Sequence, residues 1–124
     1  MLKNVLWRKD MTNQQNIDQA KSDAFAEHML GILNHAALSV MVSIGQKTRL
    51  FDTMSSMAPS TSMQIASAAG LHERYVREWL AALVTGRVIE YDPAQGTYRL
   101  PDEHAAWLTR DAGTNNLAFQ AQYI

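Results

Sequence analysis

At 124 residues the chain has room for one hydrophobic core of ordinary size and too little length for a second full catalytic domain. Hydrophobic residues make up 47% and charged residues 19% of the sequence, values of a globular rather than a disordered chain. Lys and Arg number 11 against 12 Asp and Glu, with a pI near 6.4, which lacks the basic footprint of a dedicated nucleic-acid binder; the absence of cysteine excludes disulfides, thiolate metal sites and cysteine nucleophiles, and is compatible with a reducing cytoplasm.

Residues 1–10 carry Lys3, Arg8 and Lys9 around Val5, Leu6 and Trp7, without the long apolar run and small-residue cleavage site of a signal peptide. Met11 followed by TNQQN looks like an ordinary protein beginning, and residues 1–16 are expected to form a flexible tail. From Ile17 to Ile44 the apolar residues recur at helical spacing, with Phe25, Met29, Ile32, Leu33, Ala36, Val40 and Ile44 on one stripe. A long first helix follows. In its second half Ala37, Leu38 and Met41 extend the apolar surface almost all round, which predicts burial on more than one side and so a partner subunit or neighbouring domain. The longest apolar stretches, such as 36–44, are interrupted by Ser39 and Ser43 and fall short of the roughly 20 residues of a membrane span, so no span is expected. Gly45 is expected to close the helix.

Leu50, Phe51 and Met54 form a short apolar helical turn. The loop at 58–62 offers Ser60, Thr61 or Ser62 as the cap of a helix carrying Ile65, Ala66 and Ala69, which stops at Gly70. After a tight turn, Val76, Trp79, Leu80, Leu83 and Val84 sit at i, i+3, i+4, i+7 and i+8, the strongest amphipathic pattern in the chain, and Gly86 ends it. The period then changes from helical to alternating. RVIEYD and TYRL are β-rich runs separated by the turn residues 92–96, and Tyr91, Tyr98 and Leu100 are available to pack the hairpin on the helices. Pro101, Asp102 and Glu103 open another helix containing Ala105, Ala106, Trp107 and Leu108. Residues 111–115 break it before a last apolar run, NLAFQAQYI.

Helix, short helix, helix, turn, helix and hairpin is the order of a winged helix. The expected fold is therefore mostly α: a winged helix-turn-helix with a three-helix core, a two-stranded wing and a long N-terminal helix, over residues 17–110. Residues 111–124 read as the start of a further helix.

The runs AALSVMVSIGQKTRLFD and ASAAGLHERYVREWLAALVTGRVIEYDPAQGTYRLPDEHAAWLTR closely resemble the N-terminal winged-helix region of class I S-adenosylmethionine-dependent methyltransferases, over roughly residues 24 to 124. The resemblance implies a helical domain that mediates dimerisation and closes over substrate, followed in the family by a Rossmann-like domain that binds the cofactor. That cofactor site requires a glycine-rich strand-to-helix turn and an acidic residue for the ribose. The six glycines here, at 31, 45, 70, 86, 96 and 113, are dispersed and none forms G-x-G. Neither catalytic nor cofactor-binding residues are therefore assigned. The expectation is a cytoplasmic, non-catalytic dimerisation and substrate-cover domain of a methyltransferase-like protein in truncated or isolated form. It would form a homodimer through its long first helix, with a methyltransferase catalytic domain as a further partner. In such an enzyme His35, Phe119 and Tyr123 are the candidates to contact substrate, because the last helix shows an apolar face with nothing obvious in this chain to cover it; packing of that face against the first helix or a partner subunit is the commoner use of such a patch.

The alternative is a winged-helix DNA-binding transcriptional regulator, with Arg74, Arg77, Arg87 and Arg99 meeting DNA. Against it, Glu73–Arg77 and Arg74–Glu78 both have i,i+4 spacing, so each arginine can be neutralised within its own helix. His28 and His35 are seven residues apart, too far for the usual i,i+4 metal pair, and no metal site is assigned. His72 and His104 read as turn or helix-surface residues. Ser55, Ser56, Ser60 and Ser62 lack a nucleophile elbow. The methionines at 29, 41, 54, 57 and 63 read chiefly as core filling.

Overall fold

The computed structural model describes residues 16–123, and the expectation of a flexible tail falls almost wholly outside them. The chain divides into two compact units, residues 1–34 and 35–124. In the first, the described residues are a short lead-in and the first half of helix α1 (Gln19–Lys47). Asp18 opens that helix: its carbonyl accepts from the Ser22 amide at 3.0 Å and its carboxylate from the Lys21 amide at 3.3 Å.

The second unit contains the core. After α1 come α2 (Leu50–Ser55), α3 (Ser62–Ala69), α4 (Glu73–Thr85), strands β1 (Glu90–Asp92) and β2 (Thr97–Arg99), α5 (Asp102–Leu108), a 3₁₀ turn (Arg110–Asn115), α6 (Leu117–Gln120) and a last 3₁₀ turn (Ala121–Tyr123). The mostly helical winged helix expected from the sequence is what forms. Leu50, Phe51 and Met54 from α2, Ile65 and Ala66 from α3, and Val76, Trp79, Leu80 and Leu83 from α4 are buried together with Ile89, Leu100 and Ala118. The face of α4 read from its spacing is thus the face that packs, with Val84 half-buried at its edge.

Local chemistry starts and stops these helices. Thr61 caps α3 in a reciprocal box: its hydroxyl accepts from the Gln64 amide at 3.2 Å while the Gln64 side chain accepts from the Thr61 amide at 2.9 Å. Gly70, at φ 68, ends α3 in the left-handed region, which lets the Leu71 amide donate back to the Ala66 carbonyl at 2.9 Å. His72 then accepts the Arg74 amide on Nδ1 at 3.3 Å and opens α4.

The wing is antiparallel, with Tyr91 opposite Tyr98, their rings 4.7 Å apart. A lone hairpin of three-residue strands is marginal in water. Here Ser60 supplies the rudiment of a third strand, its amide donating to Tyr98 O at 3.1 Å and its carbonyl accepting from Tyr98 N at 2.7 Å. Leu100 enters the core, Tyr98 packs against it, and Tyr91 remains exposed.

Two expectations are corrected. Gly45 does not close α1, which runs on to Lys47; it lies under the rings of Phe51 and Trp79, and a Cβ there would meet Trp79 at 2.7 Å. The glycine serves close approach rather than helix termination. On α1 the side chains packed on the core are Leu38, Met41 and Val42, whereas Phe25, Met29, Ile32, Leu33, Val40 and Ile44 of the expected stripe are exposed. The 29-residue α1 is also, by length and composition alone, long and apolar enough to cross a membrane, its most apolar stretch having mean hydropathy 1.3. In its C-terminal part Leu38, Met41 and Val42 pack on the protein core.

Candidate functional site

The first unit carries its apolar residues uncovered. Phe25 is 64% exposed, Leu30 59% and Leu33 58%, with Met29 and Ile32 also open. Helices in proteins draw most of their stability from packing of an apolar face rather than from intrinsic propensity. In the second unit Val40 and Ile44 are exposed as well.

Of the three residues proposed to meet substrate, the structure brings two together and sets the third apart. His35 lines an open depression of about 410 Å³ with Leu38, Ser39, Val42, Leu117, Gln120 and Ala121. Phe119 and Tyr123 lie edge to face with ring centroids 5.6 Å apart, and Phe119 borders a different depression, of about 490 Å³, beside Gln46, Arg110 and Asn116. Tyr123 is 77% exposed.

The candidate DNA-reading residues are largely balanced by acids. Arg74 pairs with Glu78 at 3.6 Å, Arg77 with Glu73 at 3.7 Å and, across the wing, Arg99 with Glu90 at 3.1 Å. Glu73 also accepts from the Ser62 hydroxyl at 2.7 Å, which fixes a carboxylate at the start of α4 where an incoming phosphate would need positive potential. Among the described residues Arg87 has no carboxylate partner within ion-pair distance; it occupies a left-handed backbone position at φ 62. Burial raises the Tyr98 hydroxyl above its ordinary pKa of 10.0, with the neighbouring Tyr91 adding to the rise, Arg77 opposing it and Glu73 reinforcing it.

His104 Nδ1 lies 2.7 Å from the Val88 carbonyl, a link from α5 to the loop after α4. Among the described residues no three His, Asp or Glu side chains cluster as metal ligands would. The sheet among the described residues is a two-stranded antiparallel hairpin.

A polar network escaped the sequence reading. The buried side chains of Gln46 and Asn116 hydrogen-bond, Asn116 Nδ2 donating to Gln46 Oε1 at 3.0 Å. Arg110 donates to the Gln46 carbonyl at 2.8 Å, and both its amide and its guanidinium reach Asp52. These residues are 58 to 70 positions apart, so no local pattern announces them; the one available signal is Asn116 just before an apolar run, the position of a helix cap.

The same arrangement of elements recurs in solved methyltransferases. The mitomycin 7-O-methyltransferase MmcR matches with a TM-score of 0.70 and 22% identity, over 85% of this chain and 30% of that one. Human N-acetylserotonin methyltransferase, solved with S-adenosylmethionine, matches with a TM-score of 0.58 and 17% identity, over 68% of this chain and 26% of that one. The O-methyltransferase NcsB1 from neocarzinostatin biosynthesis, solved with S-adenosyl-L-homocysteine, matches with a TM-score of 0.54 and 28% identity, over 64% of this chain and 25% of that one. The chain thus spans less than a third of the length of each. No curated protein matches it. The model of the Rv2258c-like winged helix-turn-helix domain matches residues 36–110, more than half of the sequence, and the chain belongs to that family.

Proposed function

We propose that this winged helix is a non-catalytic association and substrate-cover domain of a methyltransferase-like cytoplasmic protein, forming a homodimer through α1, with cofactor chemistry supplied by residues other than these. The observation that carries the reading is the uncovered apolar surface of the first unit, led by Phe25, Leu30 and Leu33. Burying one such side chain is worth roughly 1.5–3 kcal/mol, so a few from each copy offset much of the cost of association. The likeness to methyltransferases supplies the class of protein. The depression beside His35 and the exposed pair Phe119–Tyr123 are the surfaces assigned to substrate cover.

Two features weigh against the DNA-binding alternative: the acids paired with Arg74, Arg77 and Arg99, and a formal net charge of −1. The test is light scattering coupled to size-exclusion chromatography on the whole chain, across a concentration series and with S-adenosylmethionine added. A dimer whose mass ignores the cofactor is expected. A monomer that persists at micromolar concentration would end the association reading, and saturable cofactor binding would end the assignment of that chemistry elsewhere.

A further inference from the structure

We infer that Gln46 and Asn116 form an amide clasp that holds the segment from Arg110 to Tyr123 as a strap against the ends of α1 and α2, fixing the position of that segment on the domain.

The orientation of each amide follows from one hydrogen bond. Asn116 Oδ1 accepts from the Phe119 amide at 3.1 Å and so caps α6. Its other side-chain atom facing Gln46 must then be Nδ2, and Gln46 must present Oε1 to receive it, as the 3.0 Å contact has it. Gln46 Nε2 is left without a protein partner among the described residues, at the edge of the depression that Gln46, Arg110 and Asn116 line. Both side chains are more than nine-tenths buried. A buried polar pair stabilises less than an apolar pair of the same shape would, and its best attested use is to fix one arrangement among several.

The rest of the strap is held at two points on either side of a glycine. Arg110 anchors one end on Asp52 and the Gln46 carbonyl, and Ala118, wholly buried, anchors the other in the core. Gly113 lies between the anchors at φ 61, ψ −125, a conformation that side chains rarely adopt and that suits a hinge. With the clasp closed, the strap is part of the core; with it open, the segment beyond Gly113 swings free while α2, α3 and α4 keep their own packing.

Charge variants of the clasp, followed by amide hydrogen exchange on the full chain, provide the test. Gln46→Glu keeps an acceptor facing Asn116 Nδ2, and Asn116→Asp keeps the α6 cap while a flipped Gln46 amide donates to the new carboxylate. Each single variant buries one carboxylate that the remaining amide still hydrogen-bonds, so protection of residues 117–122 falls at neutral pH by a smaller factor than in the double variant. The double variant sets two carboxylates face to face, so exchange there accelerates at least about tenfold at neutral pH and recovers as the pH falls through the carboxylate range, while Val76–Leu83 stay protected. Wild-type exchange in the double variant at neutral pH would overturn the clasp. Loss of protection throughout the domain in step with the strap would overturn its separate opening.

Discussion

The indole N–H of Trp79, in the middle of α4, donates to the backbone carbonyl of Met41 on α1 at 2.9 Å. Trp79 also packs on Phe51, with ring centroids 5.2 Å apart, so one side chain joins the helix-turn-helix to the part of α1 that belongs to the core. Trp79→Phe keeps an aromatic ring and removes the donor together with some volume. We expect a loss of about 1–3 kcal/mol, read as a lower urea midpoint at unchanged slope. An unchanged midpoint would mean that the bond contributes nothing net.

Gly45 makes that approach possible. Gly45→Ala places a methyl group against Trp79 and Phe51, and overpacking of this kind costs about 1–3 kcal/mol. Gly31→Ala, on the same helix but with nothing near the added methyl group, is expected to be neutral or stabilising by up to about 1 kcal/mol through helix propensity. Equal effects of the two substitutions in thermal unfolding would contradict the close-approach account.

These residues mark how far the sequence could be read. The packed face of α4 was legible because Val76, Trp79, Leu80 and Leu83 stand out from charged neighbours at a single period. On α1 apolar residues surround the helix, so spacing cannot say which side meets the core; Leu38, Met41 and Val42 do. Gly45 had two physical uses, ending a helix or admitting a ring, and only the position of Phe51 and Trp79 decides which applies. The Gln46–Asn116 pair depends on a contact across 70 positions that composition does not encode. His35 shares a depression with Leu117 while Phe119, two residues further along the same helix and so on another face, borders a different one; which face meets His35 depends on how α6 packs, and spacing alone does not give that.

Tyr98 gives a pH dependence with a definite sign. Burial, then Tyr91, raises its pKa above 10.0 in the folded state, so the unfolded chain gives up this proton first as the pH rises. Its contribution to stability is fully present below pH 10.0 and is lost as the pH climbs through the folded value. Urea unfolding followed from neutral to strongly alkaline pH should show this decline, and Tyr98→Phe should make it shallower. An equally steep decline in the variant would place the effect on other groups.

Arg87 sits at φ 62 without being glycine, a conformation that costs a residue with a Cβ roughly 1–2 kcal/mol. Arg87→Gly is expected to stabilise the domain by up to about 1 kcal/mol, and Arg87→Val to destabilise it, since a β-branched residue tolerates that region worst. If Arg87→Gly lowers the thermal midpoint, the side chain makes an interaction that outweighs the strain.

Association through α1 predicts a polarity of effects along the surface. Leu33 and Met63 are both largely exposed, 58% and 66%, but Leu33 belongs to the uncovered helix of the first unit and Met63 to α3. Leu33→Glu would place a carboxylate within an apolar contact, an interface-centre change worth roughly 2 kcal/mol or more, or about a thirtyfold weaker dimer. Met63→Glu should leave the dimer as it is. Light scattering across a dilution series separates the two, with circular dichroism confirming that both variants fold. A Leu33→Glu dimer as tight as the parent would move the interface away from this part of α1, and dissociation by Met63→Glu alone would move it to the helix-turn-helix.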